Sequence, residues 1–463
     1  MSDINYQPPE DLYDAMALLE FDEALEVNDP RYVDTLHARG DDFKMNQLYR
    51  LLFVDDRNPE HFILRNNLPA RNYILFCGHV GCGKSTELRR VADKLNHKDS
   101  FFVVFLDALK ALDINNINYA DVLLALAKQL FDQLRKSCIT IDQLLLQNLQ
   151  DWFENSFAAN DQTQEMAKRL LSSAITGTLE QNGLALLSHL FGGLTEYMQN
   201  NATYKPAIRN VMTNTFSQFA RSFNLCIVAA EDAIQKAGRG KKILFIVDGT
   251  DRLRHEDGQR FFVHDVHQLI QIDSYFIYCS PIHLLYQDNH IHRSLQAVTL
   301  PMIKLHDRKG QLQPQNYDIM RNMVFKRLAP QSFTEPQLVD QLVKFSGGCP
   351  RELLRLLKYA FLEVNSNQFD VHAVERAIVR LSVDYKRILD SNDYPLLAQL
   401  DCSEKKDSSS ERMRFFLYNM IVLEYNNFWR ESHLAIRRLP AYQRHCVNPA
   451  NPGSDCLNRN FPN

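Results

Sequence analysis

The stretch GHVGCGKST, residues 78–86, follows a short apolar run and combines three glycines, a lysine and two hydroxyl residues. Gly78, Gly83, Lys84 and Ser85 fill every fixed position of the pattern G-x-x-x-x-G-K-[ST]. The glycines let backbone N–H groups face an anion without a Cβ in the way, the lysine adds a positive charge, and the serine hydroxyl suits Mg²⁺. The stretch therefore predicts a phosphate-binding loop.

The residues of this loop that are predicted to hold the nucleotide are Gly78, Gly81, Cys82, Gly83, Lys84, Ser85 and Thr86. A helix is expected directly after the loop, and its N-terminus would face the same anion. Cys82 is interpreted as a tolerated small residue. The alternative is a thiol whose oxidation blocks the site.

Five apolar runs of strand-forming residues are separated by segments with helical spacing. The runs are 72–77, 101–107, 241–249, 274–280 and 297–303. Continuous apolar strands that alternate with helices indicate a parallel sheet covered on both faces. The first run ends at the phosphate-binding loop, so the fold class predicted is α/β with a P-loop nucleotide-binding sheet.

One connection between these strands is unusually long. A βαβ unit needs about 30 residues, yet positions 108–240 separate the second strand from the third. Apolar residues at helical intervals predict a helical insertion over about 115–235. We expect it to project from the sheet, since a sheet offers no room for it. Its most apolar part, residues 177–198, is interpreted as a helical hairpin with a small core of its own. A surface for a partner or for self-association is the alternative.

Acidic side chains stand at or near the end of the third run, ILFIVDGTDRL. Asp248 is expected at the carboxyl end of the buried strand, where ligand crevices of α/β proteins lie, and there it would serve Mg²⁺ together with Ser85. Asp251 is the best candidate to position the water that attacks a phosphate. A helix N-cap is the alternative role for Asp251.

The loop, the strand end ILFIVDGTD and the segment GGCPREL together resemble the AAA+ superfamily of P-loop ATPases. The resemblance is to STAND signalling ATPases and origin-recognition-like proteins, and the long insertion is similar to that of KAP ATPases. It implies ATP and Mg²⁺ as cofactors, strand order 5-1-4-3-2, a helical lid and a C-terminal winged-helix-like domain. The corresponding boundaries are 1–40 for an acidic N-terminal segment, 41–310 for the ATPase domain, 311–390 for the lid, 391–445 for the winged-helix-like domain and 446–463 for an irregular tail.

The resemblance also implies roles for four residues outside the loop. Ser280 falls at the sensor-1 position, although a serine before Pro281 also suits a turn. Pro350 would pack near the adenine and Arg351 would sense the terminal phosphate from the lid, while a proline at the first turn of a helix explains the same pattern. Arg293 matches an arginine finger that reaches a neighbouring subunit, with a surface arginine as the alternative.

Three departures from the family pattern bear on activity. The insertion is longer than origin-binding proteins have, the residue after Asp248 is Gly249 instead of glutamate, and no C-terminal repeat array follows. Slow hydrolysis is therefore expected, and the chain would be more a switch than a motor. Sensing would fall to the insertion and the winged helix, or to another protein.

The N-terminal segment and the overall charge bear on partners. Residues 1–30 contain no lysine or arginine, and we interpret them as a solvated helix packed on the next domain; a partner-docking or autoinhibitory arm is the alternative. The net charge of −4 gives no global attraction to nucleic acid. DNA contact would fall to four C-terminal residues, Trp429, Arg430, Arg437 and Arg438. Glu424 and Glu431 dilute the positive charge there, and a packing role for these residues is the alternative.

Nine scattered cysteines without a C-x-x-C pair indicate reduced thiols, and neither a signal peptide nor a membrane span is expected, which favours a cytoplasmic protein. Three functions are consistent with these features. The first is an ATP-driven switch that forms homo-oligomers and controls a protein effector, in anti-phage defence or a stress response. The second is a DNA-binding initiator or loader. The third is a nucleotide-binding scaffold with negligible turnover.

Overall fold

The computed structural model describes residues 6–20, 22–40, 45–57, 62–176, 183–286, 291, 294–402, 410–426 and 429–446. Its strands are β1 Val54–Asp55, β2 Ile63–Leu64, β3 Asn72–Gly78, β4 Phe101–Asp107, β5 Lys242–Asp248, β6 Tyr275–Pro281, β7 Gln296–Thr299, β8 Val422–Tyr425 and β9 Trp429–Ser432.

The helices fall into three groups along the chain. Those before or beside the central sheet are α1 Leu12–Met16, α2 Asn46–Leu51, α3 Lys84–Leu95 and α4 Ala108–Ala111. Those between β4 and β6 are α5 Tyr119–Lys136, α6 Gln143–Phe153, α7 Gln164–Thr176, α8 Gly183–Asn200, α9 Tyr204–Lys236, α10 His255–Gln259 and α11 Val266–Leu269. The C-terminal group is α12 Pro314–Phe325, α13 Gln337–Phe345, α14 Pro350–Phe361, α15 Val371–Lys386, α16 Asp393–Cys402, α17 Glu411–Tyr418, α18 Leu434–Arg437 and α19 Pro440–Cys446.

The central sheet has five strands in the order β4-β5-β6-β3-β7, and each neighbouring pair is parallel. Numbered within this sheet and read from the opposite edge, the order is 5-1-4-3-2, as predicted. Alternate residues of β3 enter different cores, with Leu75 on one face and Ile74 and Phe76 on the other. This two-sided burial explains why the predicted strands are continuous apolar runs.

The long insertion packs against one face of the sheet, so the predictions that it projects and that its most apolar part has a core of its own are wrong. Its helices α5–α9 share a single apolar core with β4, β5 and β6. Phe223 of α9 lies fully buried between Phe131 of α5 and Phe245 of β5. The insertion supplies the helical layer that this face of a parallel sheet requires. The sequence did not indicate this role, because the connection is far longer than a single covering helix needs.

This shared core predicts a coupling between the insertion and the sheet. Phe223→Ala should remove about 3–5 kcal/mol of unfolding free energy and accelerate amide hydrogen exchange in β5 as well as in α9. Leu225→Ala is the matched control, because this neighbouring side chain is 45% exposed. Faster exchange confined to α9 would contradict a common core.

The C-terminal helices and the C-terminal hairpin pack in two places. Helices α12–α19 form one apolar core together with Leu12, Ala15 and Leu19 of the N-terminal segment. The antiparallel strands β8 and β9 form a hairpin, whose Leu423 and Trp429 enter the core on the other face of the sheet. The assignment of this region as a winged helix stays a prediction, and the tail from 447 onward lies outside the described residues.

Two expectations from the sequence concern membrane-spanning helices and the state of the cysteines. Within the described residues, no helix is long and apolar enough to cross a bilayer. Six cysteines there carry free thiols, but Cys402 is disulfide-bonded. The expectation of reduced cysteines is therefore wrong at Cys402, because spacing along the chain does not show which thiols the fold brings together.

Candidate functional site

The loop of residues 78–86 connects β3 to α3 at the carboxyl end of the sheet. Gly81 and Gly83 have φ angles of 83° and 106°, which side chains with a Cβ rarely adopt. Their conformation turns the loop so that Lys84 opens the first turn of α3 with its side chain buried. The Lys84 Nζ donates to the carbonyl oxygens of Gly78 and His79 at 2.9 and 2.8 Å.

The Lys84 ammonium forms an ion pair with Asp251, at 2.8 Å between Nζ and Oδ2. Burial by itself disfavours both charged forms, yet the attraction between the two groups outweighs it. The pKa of Lys84 is therefore raised and that of Asp251 is lowered. Both groups stay charged at neutral pH, so the loop carries a fixed cation with an acidic side chain beside it.

Asp251 lies in a short 3₁₀ helix, Thr250–Arg252, directly after β5. The alternative role predicted for it, an N-cap, is not observed, since the N-cap residue of α10 is Arg254. Asp251 instead faces the phosphate-binding loop.

Ser85 and Asp248 form the second polar pair of the site. The Ser85 hydroxyl lies 2.8 Å from the Asp248 carboxylate, which emerges at the end of β5 beside Asp107 of β4. Burial raises the pKa of Asp248, and the nearby Asp251 adds to the rise. A hydroxyl and a carboxylate are the hard oxygen ligands that Mg²⁺ prefers, and Mg²⁺ takes its remaining ligands from phosphates and water. In the described ranges, no three His, Cys, Asp or Glu residues cluster as a metal site.

The turn before α14 closes on the phosphate-binding loop. The Arg351 backbone N–H donates to the Gly81 carbonyl at 3.3 Å, and a Cβ added to Gly81 would lie 2.5 Å from the Arg351 Cβ. Pro350 begins α14 and lines the cavity beside the loop. The structure therefore brings together the loop, Pro350 and Arg351, as the sequence predicts.

A cavity of about 430 Å³ lies over the loop. Its wall includes the predicted residues Gly81–Thr86, Asp248, Asp251, Pro350 and Arg351. Sequence reasoning missed the wall formed by the N-terminal segment, which includes Asp22 and Tyr32, and it missed Arg252 after Asp251. The sequence held one signal for this wall, which is the run of acidic residues in the N-terminal segment. Such a run can neutralise the positive charge of a predicted anion site.

Arg39 is another residue that sequence reasoning missed. It is fully buried, and burial lowers the pKa of its guanidinium. It donates to the Cys82 carbonyl at 2.7 Å and to the Thr35 hydroxyl at 2.9 Å, and it also contacts the Pro301 carbonyl. Arg39 thereby ties the phosphate-binding loop to the segment that leaves β7.

His79 links the loop to the C-terminal hairpin. Its Nε2 accepts the backbone N–H of Glu424 at 2.8 Å, so Nδ1 carries the proton and donates to the Leu417 carbonyl at 3.1 Å. Burial lowers the pKa of His79 to about 3, which keeps the ring neutral and this tautomer in place. A shift of the loop at His79 would therefore be transmitted to α17 and β8.

Two further predicted residues, Ser280 and Thr86, have their hydroxyl groups engaged within the protein. Ser280 is buried at the end of β6 next to β3, and its hydroxyl lies 3.4 Å from the Cys77 thiol instead of facing the cavity. The Thr86 hydroxyl accepts the N–H of Leu25 at 3.2 Å. Arg293 lies outside the described residues.

The C-terminal side chains considered for DNA contact are largely occupied within the protein. Trp429, Arg430 and Arg437 are buried. Arg430 pairs with Glu424 at 2.6 Å, and Arg437 pairs with Asp401 at 3.0 Å. Arg438 pairs with Glu375. These arginines neutralise acidic groups of the fold, so they do not form a free basic surface for phosphates.

No protein-family model matches this chain. No curated protein matches it either. Among solved structures, the RuvB Holliday junction branch migration motor of Thermotoga maritima is similar at 13% sequence identity, with a TM-score of 0.20. The match covers 41% of this chain and 66% of the RuvB chain. A likeness at this level adds nothing to what the sheet order and the loop geometry show.

Proposed function

We propose that this chain binds ATP with Mg²⁺, hydrolyses it slowly and acts as a nucleotide-dependent switch of the AAA+/STAND type. The observation that carries the proposal is the pairing of Lys84 with Asp251 and of Ser85 with Asp248 at the carboxyl ends of β3 and β5. A cation and hard oxygen ligands meet there in front of glycine-rich backbone, which suits a magnesium-bound polyphosphate.

Each residue has a separate role in this proposal. Lys84 exchanges its Asp251 partner for the β- and γ-phosphates, and the freed carboxylate then orients the attacking water. Ser85 and Asp248 would hold Mg²⁺, which would offset the negative charge that develops during phosphoryl transfer. Backbone N–H groups of Gly81 and Gly83 would contact the phosphates, as in P-loops, whereas the Cys82 N–H donates to the His79 carbonyl at 3.2 Å.

The switch is built from two contacts of the loop. Arg351 approaches Gly81 from the lid, and His79 reaches the C-terminal hairpin. Nucleotide in the loop would alter both contacts together and so move the lid and the hairpin relative to the sheet. We extend the proposal to ATP-dependent homo-oligomers with Arg293 as the finger, and to control of a protein effector in anti-phage defence or a stress response, on family resemblance alone.

The DNA-loader alternative has no observation in its favour. The C-terminal arginines are paired with carboxylates, and the net charge of −4 gives no global attraction to duplex DNA.

The proposal is tested by nucleotide binding. Lys84→Ala should lower the affinity for Mg·ATP by more than about a hundredfold, since a charge-assisted contact and the buried cation that Asp251 requires are both lost. Isothermal titration calorimetry measures the affinity. Lys94→Ala, an exposed lysine near the end of the same helix, is the control and should bind as the unmodified protein does. Equal affinities of the two variants would reject the site.

A further inference from the structure

Glu20 and residues 22–25 of the acidic N-terminal segment line the nucleotide cavity, and the segment is anchored on both sides of it. On the loop side, Leu25 N–H donates to the Thr86 hydroxyl, and Arg89 of α3 pairs with Glu26 at 2.7 Å. On the lid side, Glu20 pairs with Lys358 of α14 at 3.1 Å. The segment therefore bridges the sheet and the lid over the phosphate-binding loop.

Asp22 is the member of this segment that faces the cationic side chains of the cavity. Its carboxylate lies 3.4 Å from the Arg351 guanidinium and 3.9 Å from that of Arg252, and its backbone carbonyl accepts from Arg252 at 3.1 Å. Both arginines line the cavity and both lower the pKa of Asp251, after the larger effect of Lys84. A carboxylate thus lies between two guanidinium groups next to the Lys84–Asp251 pair.

Two guanidinium groups that converge on one carboxylate also suit a phosphate oxygen, which guanidinium groups bind in the same way. Asp22 is held weakly, since its side chain is 61% exposed and such pairs contribute little in water. A nucleoside triphosphate brings a larger negative charge to the same place. The carboxylate and the terminal phosphate cannot occupy it together.

We propose that Arg252, together with Arg351, binds the terminal phosphate of the nucleotide, and that Asp22 occupies this contact until the triphosphate displaces it. The proposal rests on the ATP site proposed above and adds Arg252 and Asp22 to it. A diphosphate does not reach the contact, so the acidic segment distinguishes the two nucleotide states.

The test compares two single replacements with opposite expected signs, using AMP-PNP and ADP with Mg²⁺ in calorimetry on the full chain. Asp22→Asn keeps the shape and removes the charge, so the affinity for AMP-PNP should rise about threefold, the scale of an exposed ion pair. Arg252→Ala should lower the affinity for AMP-PNP about tenfold, the scale of one charge-assisted contact. Affinity for ADP should stay unchanged in both variants.

Two matched controls separate these effects from a general change of charge. Asp14→Asn removes an exposed acid from the same N-terminal segment, and Arg254→Ala removes an exposed arginine two residues from Arg252. Both should bind AMP-PNP as the unmodified protein does. In the double variant with Asp22→Asn and Arg252→Ala, the gain from Asp22→Asn should shrink, because the two residues act on one contact.

The outcomes distinguish this proposal from the ATP site itself. An unchanged or lower AMP-PNP affinity in Asp22→Asn, or an equal loss of ADP and AMP-PNP affinity in Arg252→Ala, would overturn the displacement while Lys84→Ala still abolishes binding. If the unmodified protein binds neither nucleotide, or Lys84→Ala binds both normally, the proposed function fails and this inference fails with it.

Discussion

Asp251→Asn should lower the rate of phosphate release by about a hundredfold or more, because the amide cannot accept the proton of the attacking water. ATP affinity should not fall. In the free protein Asp251 compensates the buried Lys84 charge at 2.8 Å, and without that carboxylate the ammonium gains more from the phosphates. The variant without nucleotide should accordingly melt at a lower temperature and regain more stability from ATP than the unmodified protein does.

A malachite-green assay of phosphate release and a thermal-shift titration measure the two effects. Glu256→Gln is the control, since this exposed carboxylate lies five residues further along the chain and outside the cavity wall. Turnover that survives Asp251→Asn would show that another group orients the water. Turnover that is absent from the unmodified protein would favour a nucleotide-binding scaffold.

Gly348→Ala should separate the lid from the sheet. Gly348 has a φ of 78°, and a Cβ there would lie 2.0 Å from the carbonyl oxygen of Ile303, which is backbone and cannot rotate away. The replacement therefore combines the cost of a left-handed conformation with a backbone shift, more than about 3 kcal/mol in total. Arg351 follows three residues later, so the lid contact with Gly81 should be lost and ATP affinity should fall.

Gly238→Ala is the matched control for this effect. Gly238 also has a left-handed φ, 65°, but nothing lies within 4 Å of its added Cβ. Gly238→Ala should lower the unfolding free energy by only about 1 kcal/mol and leave ATP binding unchanged. Urea unfolding followed by tryptophan fluorescence, together with calorimetric ATP titration, compares the two variants. Similar losses of unfolding free energy in the two variants would mean that a side chain at Gly348 does not clash with the Ile303 backbone.

The loop and the sheet could be predicted because their physics is local. The loop pattern from Gly78 to Ser85 depends on glycines and a lysine at closely spaced positions. Strands that are buried on both faces are recognised in the sequence as unbroken apolar runs. Asp248 followed from the same rule, since the residue at the end of such a strand faces the crevice. The strand order came from a family resemblance and is the order that the structure has.

The packing of the insertion and the disulfide bond of Cys402 could not be predicted from local pattern. Apolar helical spacing shows that α5–α9 must bury a face, but it does not show that Phe223 meets Phe245 of the sheet instead of another helix. Likewise, the C-terminal arginines look like a basic surface along the chain. Only their pairing with Glu424 and Asp401 shows that they are neutralised within the fold.

The amino-acid sequence alone determined that a phosphate-binding loop stands at the end of the first strand of a parallel sheet, because short-range spacing sets that geometry. Tertiary structure decided what surrounds the loop. Asp22 lies more than 300 residues from Arg351 along the chain, and His79 lies equally far from Glu424, yet each pair is in contact. Such contacts depend on how layers pack, which no short stretch of sequence encodes.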